Sequence, residues 1–110
     1  MLPTNRKPTS PGKILLEEFL EPLHITQAAF VEHLGRSWTQ PKLSAIINGR
    51  KSITEATALD LADALGTSAE FWIGLQTDLN LWEISKKRKK IPKLPISRIR
   101  RTTKRGLRKK

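Results

Sequence analysis

The sequence predicts a small all-α domain of five helices followed by a disordered basic tail. Three observations lead there. Apolar residues recur at the three-to-four spacing of helices, with no alternating strand pattern and no internal repeat. Start and stop signals follow one another at short intervals, so the helices must be short. The charge is divided sharply along the chain: residues 1–85 hold seven of the 21 Lys and Arg and all ten acidic residues, a net of −3, and residues 86–110 hold the remaining 14 basic residues and no acid.

Each element has its own signals. Ser10-Pro11 supplies an N-cap followed by a proline in the first turn, and Ile14, Leu15, Leu16, Phe19 and Leu20 repeat at helical spacing until Pro22. Thr26 caps a second helix, "QAAFVEHL", in which Ala29, Phe30 and Leu34 share a face and Gly35 supplies a left-handed stop. "TQPKLSAIINGR", residues 39–50, forms a third helix on Leu43, Ile46 and Ile47 that ends at Asn48-Gly49. Thr54 caps "EATALDLADAL", with Ala58, Leu61, Ala62 and Leu65 inward and Gly66 as its stop. Ser68 caps the fifth helix, "AEFWIGLQTDLNLWEI", with Phe71, Leu75, Leu79 and Trp82 on one side and Trp72 and Ile73 beside them.

Composition sets the outer bounds. A chain of 110 residues with 37% hydrophobic content supports one modest core, which divides as a flexible arm at 1–9, a helical domain at 10–84 and a basic tail at 85–110. With no Cys there is neither a disulfide framework nor a thiolate metal site. No apolar run has the length of a membrane helix, and "MLPTNRKPTSPGK" lacks the apolar stretch of a secretion signal, so a cytoplasmic location without membrane association is expected. The tail repels itself, carries few apolar residues and is interrupted by Pro92 and Pro95. Such segments find polyanions, of which nucleic acid is the commonest.

Five short helices with two-turn members in second and third place are the organisation of a helix-turn-helix domain. "TQAAFVEHLG" followed by "TQPKLSAIINGR" resembles the helix-turn-helix of the phage (lambda) repressor and Cro superfamily. "PGKILLEEFLEPL" before it, and "SITEATALDLADALGTSAEFWIGLQTDLNLW" after it, resemble HigA-like or VapI-like antitoxins of bacterial toxin-antitoxin pairs, over residues 8–84. The resemblance implies a DNA-binding autorepressor that dimerises through its C-terminal part and neutralises a small RelE-like ribonuclease. The chain departs from that pattern in places. "RSWT" lengthens the turn at 36–39 by about two residues against the usual turn of the superfamily. Val31 stands where a small residue is usual, and Pro41 where many relatives carry a base-reading side chain. The resemblance gives the tail no role.

A recognition helix places its N-terminal side chains at base edges while neighbouring helix ends meet phosphates. The candidate DNA-binding residues are therefore Gln27, Thr39, Gln40, Lys42, Ser44, Ala45, Asn48 and Arg50. Gln40 offers an amide matched to adenine, and Lys42 suits guanine or a phosphate. Thr39 and Ala45 suit a thymine methyl or a base edge. Asn48 and Arg50 stand at the helix exit near the backbone. Gln27 opens helix two, where free amides favour a phosphate, the role the resemblance gives its counterpart. Proline cannot pair bidentately with a base. Trp38 reads as a lid on the core rather than a stacking platform, and Trp72 and Trp82 as core or dimer contacts.

Catalysis has little to stand on. His24 and His33 lack a nucleophile arrangement, no His or carboxylate set has metal-ligand spacing, and Glu17, Glu18 and Glu21 read as a solvated face. No enzyme, cofactor or metal is expected. The expected partners are a palindromic DNA operator, a toxin protein and a second copy of the chain. The alternatives are a stand-alone regulator, or a general RNA- or DNA-binding protein that acts through its tail.

Overall fold

The structure is a computed structural model, and it describes residues 6–35 and 37–95. Most of the arm expected at 1–9, Arg36 of the long turn, and the basic tail from residue 96 onward lie outside the described residues. Five helices form among them, with no strand: α1 (Pro11–Ile14, continuing without a break as a π-helical segment over Leu15–Leu20), α2 (Gln27–Leu34), α3 (Gln40–Ile47), α4 (Glu55–Leu65) and α5 (Ala69–Lys87).

The N-termini share one device. The hydroxyls of Ser10, Thr26, Thr39, Thr54 and Ser68 each accept the backbone N–H three residues on, at 3.0–3.2 Å. Each satisfies one of the amides a helix start leaves unpaired, at about 0.5–2 kcal/mol per cap. Thr39, a candidate DNA-contacting residue by sequence, is thus also the cap of α3. At the other end of α3, the N–H of Gly49 bonds the carbonyl of Ile46 and that of Arg50 the carbonyl of Ala45, with Gly49 at φ 79°. This paired closure ends the helix abruptly. Gly35 differs from expectation: φ 104° with ψ −172° is outside the left-handed helical region, so the chain leaves α2 extended into the turn.

The first helix departs most from its sequence expectation. Glu21 N–H bonds the Leu16 carbonyl five residues back, and Ile25 that of Leu20. Residues five apart diverge by roughly 140° around an α-helix, so Leu15 and Leu20 cannot share its inner side; the wider π turn lets both be fully buried. His24 closes the segment with a left-handed backbone, φ 57°.

Leu15, Leu20, Phe30, Trp38, Leu43, Ile46, Ile53, Ala58, Leu61 and Trp72 form the core, drawn from every helix and both central loops. Trp72 is completely buried, donates its indole N–H to the Thr67 hydroxyl at 2.7 Å and packs 5.5 Å from the Phe19 ring. The buried face of α5 is therefore Trp72, Gln76 and Leu79; Phe71, expected on that face from sequence, lies partly exposed beside it, its ring edge-on to Trp72. The helix also runs past Ile84 to Lys87, where Lys86 and Lys87 complement the negative end of its dipole.

Two contacts set the position of α3. A β-carbon on Gly12 would collide with the Ile46 carbonyl oxygen and come within 2.7 Å of Ile47 Cα. The first turn of α1 thus lies directly on the α3 backbone. The buried Gln76 then accepts the Ile53 N–H at 2.8 Å and donates to Asn80 at 3.0 Å, so α5 holds the loop that leaves α3.

The two helix glycines give opposite expectations. Gly12→Ala forces backbone against backbone and is expected to destabilise by at least about 1–3 kcal/mol, as overpacking does. Gly74 faces open space in mid-helix, so Gly74→Ala is expected to stabilise by up to about 1 kcal/mol. Urea unfolding of both variants checks the pair; a neutral Gly12→Ala would contradict the close seating of α3.

Candidate nucleic-acid interface

α3 buries Leu43, Ile46 and Ile47, and these fix which way its other residues face. At about 100° per residue, the direction opposite the buried three passes within about 15° of Pro41 and about 35° of Ala45 and Asn48, with Gln40 and Lys42 about 90–110° off on either flank. Gln40, Pro41 and Asn48 are exposed, while Lys42, Ser44 and Ala45 are half-buried. Gln40 opens the helix, where side chains lean off the N-terminal end, so it projects beyond the helix rather than from its outer face.

The polar residues of this face are partly engaged with each other. The Asn48 amide donates to the Ser44 hydroxyl at 3.2 Å, one turn apart, and Thr39 holds the Lys42 amide. The Lys42 ammonium sits 4.3 Å from the centre of the Trp38 ring. Trp38 is buried and donates its indole N–H to the Asp60 carboxylate at 2.8 Å. A line of contacts thus runs from Asp60 on α4 through Trp38 to Lys42 on α3. The long turn carries an aromatic ring inward, where it is both a lid on the core and a seat for the lysine. The lid is legible in the sequence; its Asp60 partner, twenty-two residues away, is not.

Gln27, half-buried, opens α2, which packs against α3 in the helix-turn-helix pair; Arg50 and the neighbouring Lys51 are exposed beyond the exit of α3, their N–H groups bonded to the Ala45 carbonyl. Lys51 is absent from the sequence-based candidates, although a signal for it is present. Between Glu32 and Glu55 the chain has no acidic residue but carries Arg36, Lys42, Arg50 and Lys51. Every carboxylate side chain belongs to the sequence on either side of that stretch, so α3 and its exit carry basic groups and no carboxylate of their own to repel a phosphate backbone.

The helix-turn-helix family model matches residues 16–72. The chain belongs to the helix-turn-helix family. Within it, the antitoxin HigA-1 of Vibrio cholerae is 41% identical over 83 residues, 76% of each chain, and places this chain among HigA-like proteins. The HTH-type transcriptional regulator YbaQ of Escherichia coli is also 41% identical, over 86 residues, 76% of this chain and 73% of its own. Among solved structures, PA4674 of Pseudomonas aeruginosa in complex with its operator DNA superposes with a TM-score of 0.74 at 29% identity, over 82% of this chain and all of that one.

In this HigA-like fold no group of three or more His, Cys, Asp or Glu gathers among the described residues to hold a metal, and no described helix is long and apolar enough to cross a membrane. His33 lines a shallow surface groove with Leu34, Asp60, Asp63 and Ala64.

The Asp60–Trp38 bond makes a testable demand on stability. Removing the acceptor with Asp60→Ala is expected to cost about 1.5–3 kcal/mol, the range for hydrogen bonds to charged groups, and Asp60→Asn less because an acceptor oxygen remains. Thermal denaturation of both variants checks this; equal losses would show that the hydrogen bond does not hold the turn.

Proposed function

We propose that this chain is a sequence-specific DNA-binding antitoxin that represses its own operon in the cytoplasm and neutralises a RelE-like ribonuclease toxin. The observation that carries the reading is the seating of α3, capped at both ends, packed on α1, with its exit loop held by α5, and turned outward within the acid-free stretch between Glu32 and Glu55. The likeness to HigA-1 and to the operator-bound PA4674 supports the same assignment. Gln40 then reaches a base edge from the start of α3, and Thr39, Ser44 and Ala45 line the groove. Lys42 leaves or extends from its indole seat to a guanine or a phosphate. Gln27, Asn48 and Arg50, with Lys51, hold the backbone.

A single domain of this size covers too little DNA for strong specificity, and a homodimer on a palindrome doubles the contacts across half-sites one helical turn apart. The outward side of α5 suits the twin: Leu81 and Ile84 are 50% and 57% exposed. The body's net charge of −3, with its acids all outside the stretch that carries α3, suits a basic toxin.

Two measurements test the reading. Gln40→Ala is expected to cost about 1–3 kcal/mol on the operator and much less on random duplex, whereas Gln27→Ala weakens both alike. Titration of both variants on both DNAs separates them, and a uniform loss for Gln40→Ala would remove α3 as the reader. Truncation after Lys87 keeps α5 whole and removes the rest of the tail. Each phosphate that the tail no longer neutralises flattens the slope of log affinity against log salt by about 0.9, so the slope is expected to fall by several units while operator preference survives. Abolition of all binding on truncation would favour the second reading, general nucleic-acid binding through the tail, which rests on its dense positive charge.

A further inference from the structure

The residue nearest the centre of the outward face of α3 is Pro41, and it is exposed. Its position in the first turn needs no N–H, so the helix tolerates the ring at no cost in hydrogen bonding. One turn further on, on the same side, lies Ala45. The middle of the reading face is therefore an apolar facet, with Asn48 and Ser44 tied to each other at its far end. Polar groups able to pair with a base stand on the flanks.

We propose that Pro41, with Ala45 beside it, is a specificity-determining residue of this chain, and that it selects thymine by contact with the C5 methyl group in the major groove. The inference rests on the reading of α3 as the DNA-contacting helix and goes beyond it by naming the base feature that is read. In the major groove the thymine methyl is the apolar feature among hydrogen-bonding edges. An apolar ring pressed against cytosine N4 or adenine N6 strips water from a donor and returns no acceptor, which penalises those bases. Against thymine the same ring buries a methyl group. Burial of one methyl is worth roughly fourfold in affinity, about 0.8 kcal/mol at 1.4 kcal/mol per tenfold. Each half-site then requires one or two thymines beneath the facet, and a proline serves there because the discrimination needs shape and dryness rather than a hydrogen bond.

Deoxyuridine, which lacks the methyl and keeps every hydrogen-bonding group of thymine, is the direct probe. The full chain is used to select a binding site from a random-sequence duplex pool, and each thymine of the recovered duplex is replaced in turn by deoxyuridine. At one or two positions per half-site the replacement is expected to weaken binding roughly three- to fivefold. In Pro41→Ser that penalty is expected to shrink toward onefold at one of them, and in Pro41→Val, which restores an apolar side chain, to return; circular dichroism melting reports whether each variant keeps its fold. A duplex insensitive to deoxyuridine at every position overturns the proposal, as does a penalty that is undiminished in a folded Pro41→Ser. A pool that yields no enriched sequence overturns the DNA-reading function itself, an outcome distinct from selection of a site indifferent to the methyl group.

Discussion

Gly12 lies against the backbone of α3 with no room for a β-carbon, and the orientation of α3 depends on that contact. Two helices that meet through backbone rather than side chains have little freedom to slide. The capped start of α1 fixes Gly12, and the π turn behind it keeps Leu15 and Leu20 both in the core. α3 is pinned at its exit by its own closure at Gly49 and by Gln76, which holds the loop through the Ile53 amide. A helix of eight residues has little stability of its own, so its direction comes from these neighbours.

The same arrangement separates two kinds of surface. Core residues of α3 face inward on one side, the exposed Pro41 and Asn48 face away from them, and the exposed Gln40 projects from the start of the helix. Carboxylates lie outside the stretch between Glu32 and Glu55, and the long turn spends its extra residues on Trp38, which ties Asp60 of α4 to Lys42 of α3. Under the proposed function the body supplies sequence preference through a small, rigid face, and the tail supplies sequence-independent attraction. Residues 88–95, exposed and without helix or strand, begin that tail.

Much of this is legible in the sequence because it is local. Ser10, Thr26, Thr54 and Ser68 announce four helix starts, Asn48-Gly49 and Gly66 announce ends, and Leu43, Ile46 and Ile47 announce the inner side of α3. The features that escape it are those decided by distant partners. The π turn follows from where Leu20 must pack, which no spacing within "ILLEEFL" reveals. The inner face of α5 is shifted from the expectation that put Phe71 inside, because Gln76, polar by type, is buried to serve the Ile53 amide. Gly12 stands out as part of a signature, but its reason lies thirty-four residues away at Ile46. Asp60 is likewise invisible as the partner of Trp38.

In the proposed function it is the helix-turn-helix face, and not the tail alone, that reads DNA. Amide chemical shifts of the full chain, followed by NMR as a duplex carrying the selected site is added, test it most directly. The largest changes are expected on Gln27, on residues 39–51 and on the indole of Trp38 as Lys42 moves, with the outward face of α5 unaffected by the DNA itself. Changes confined to residues 88–110, with α3 unmoved at saturation, would contradict it.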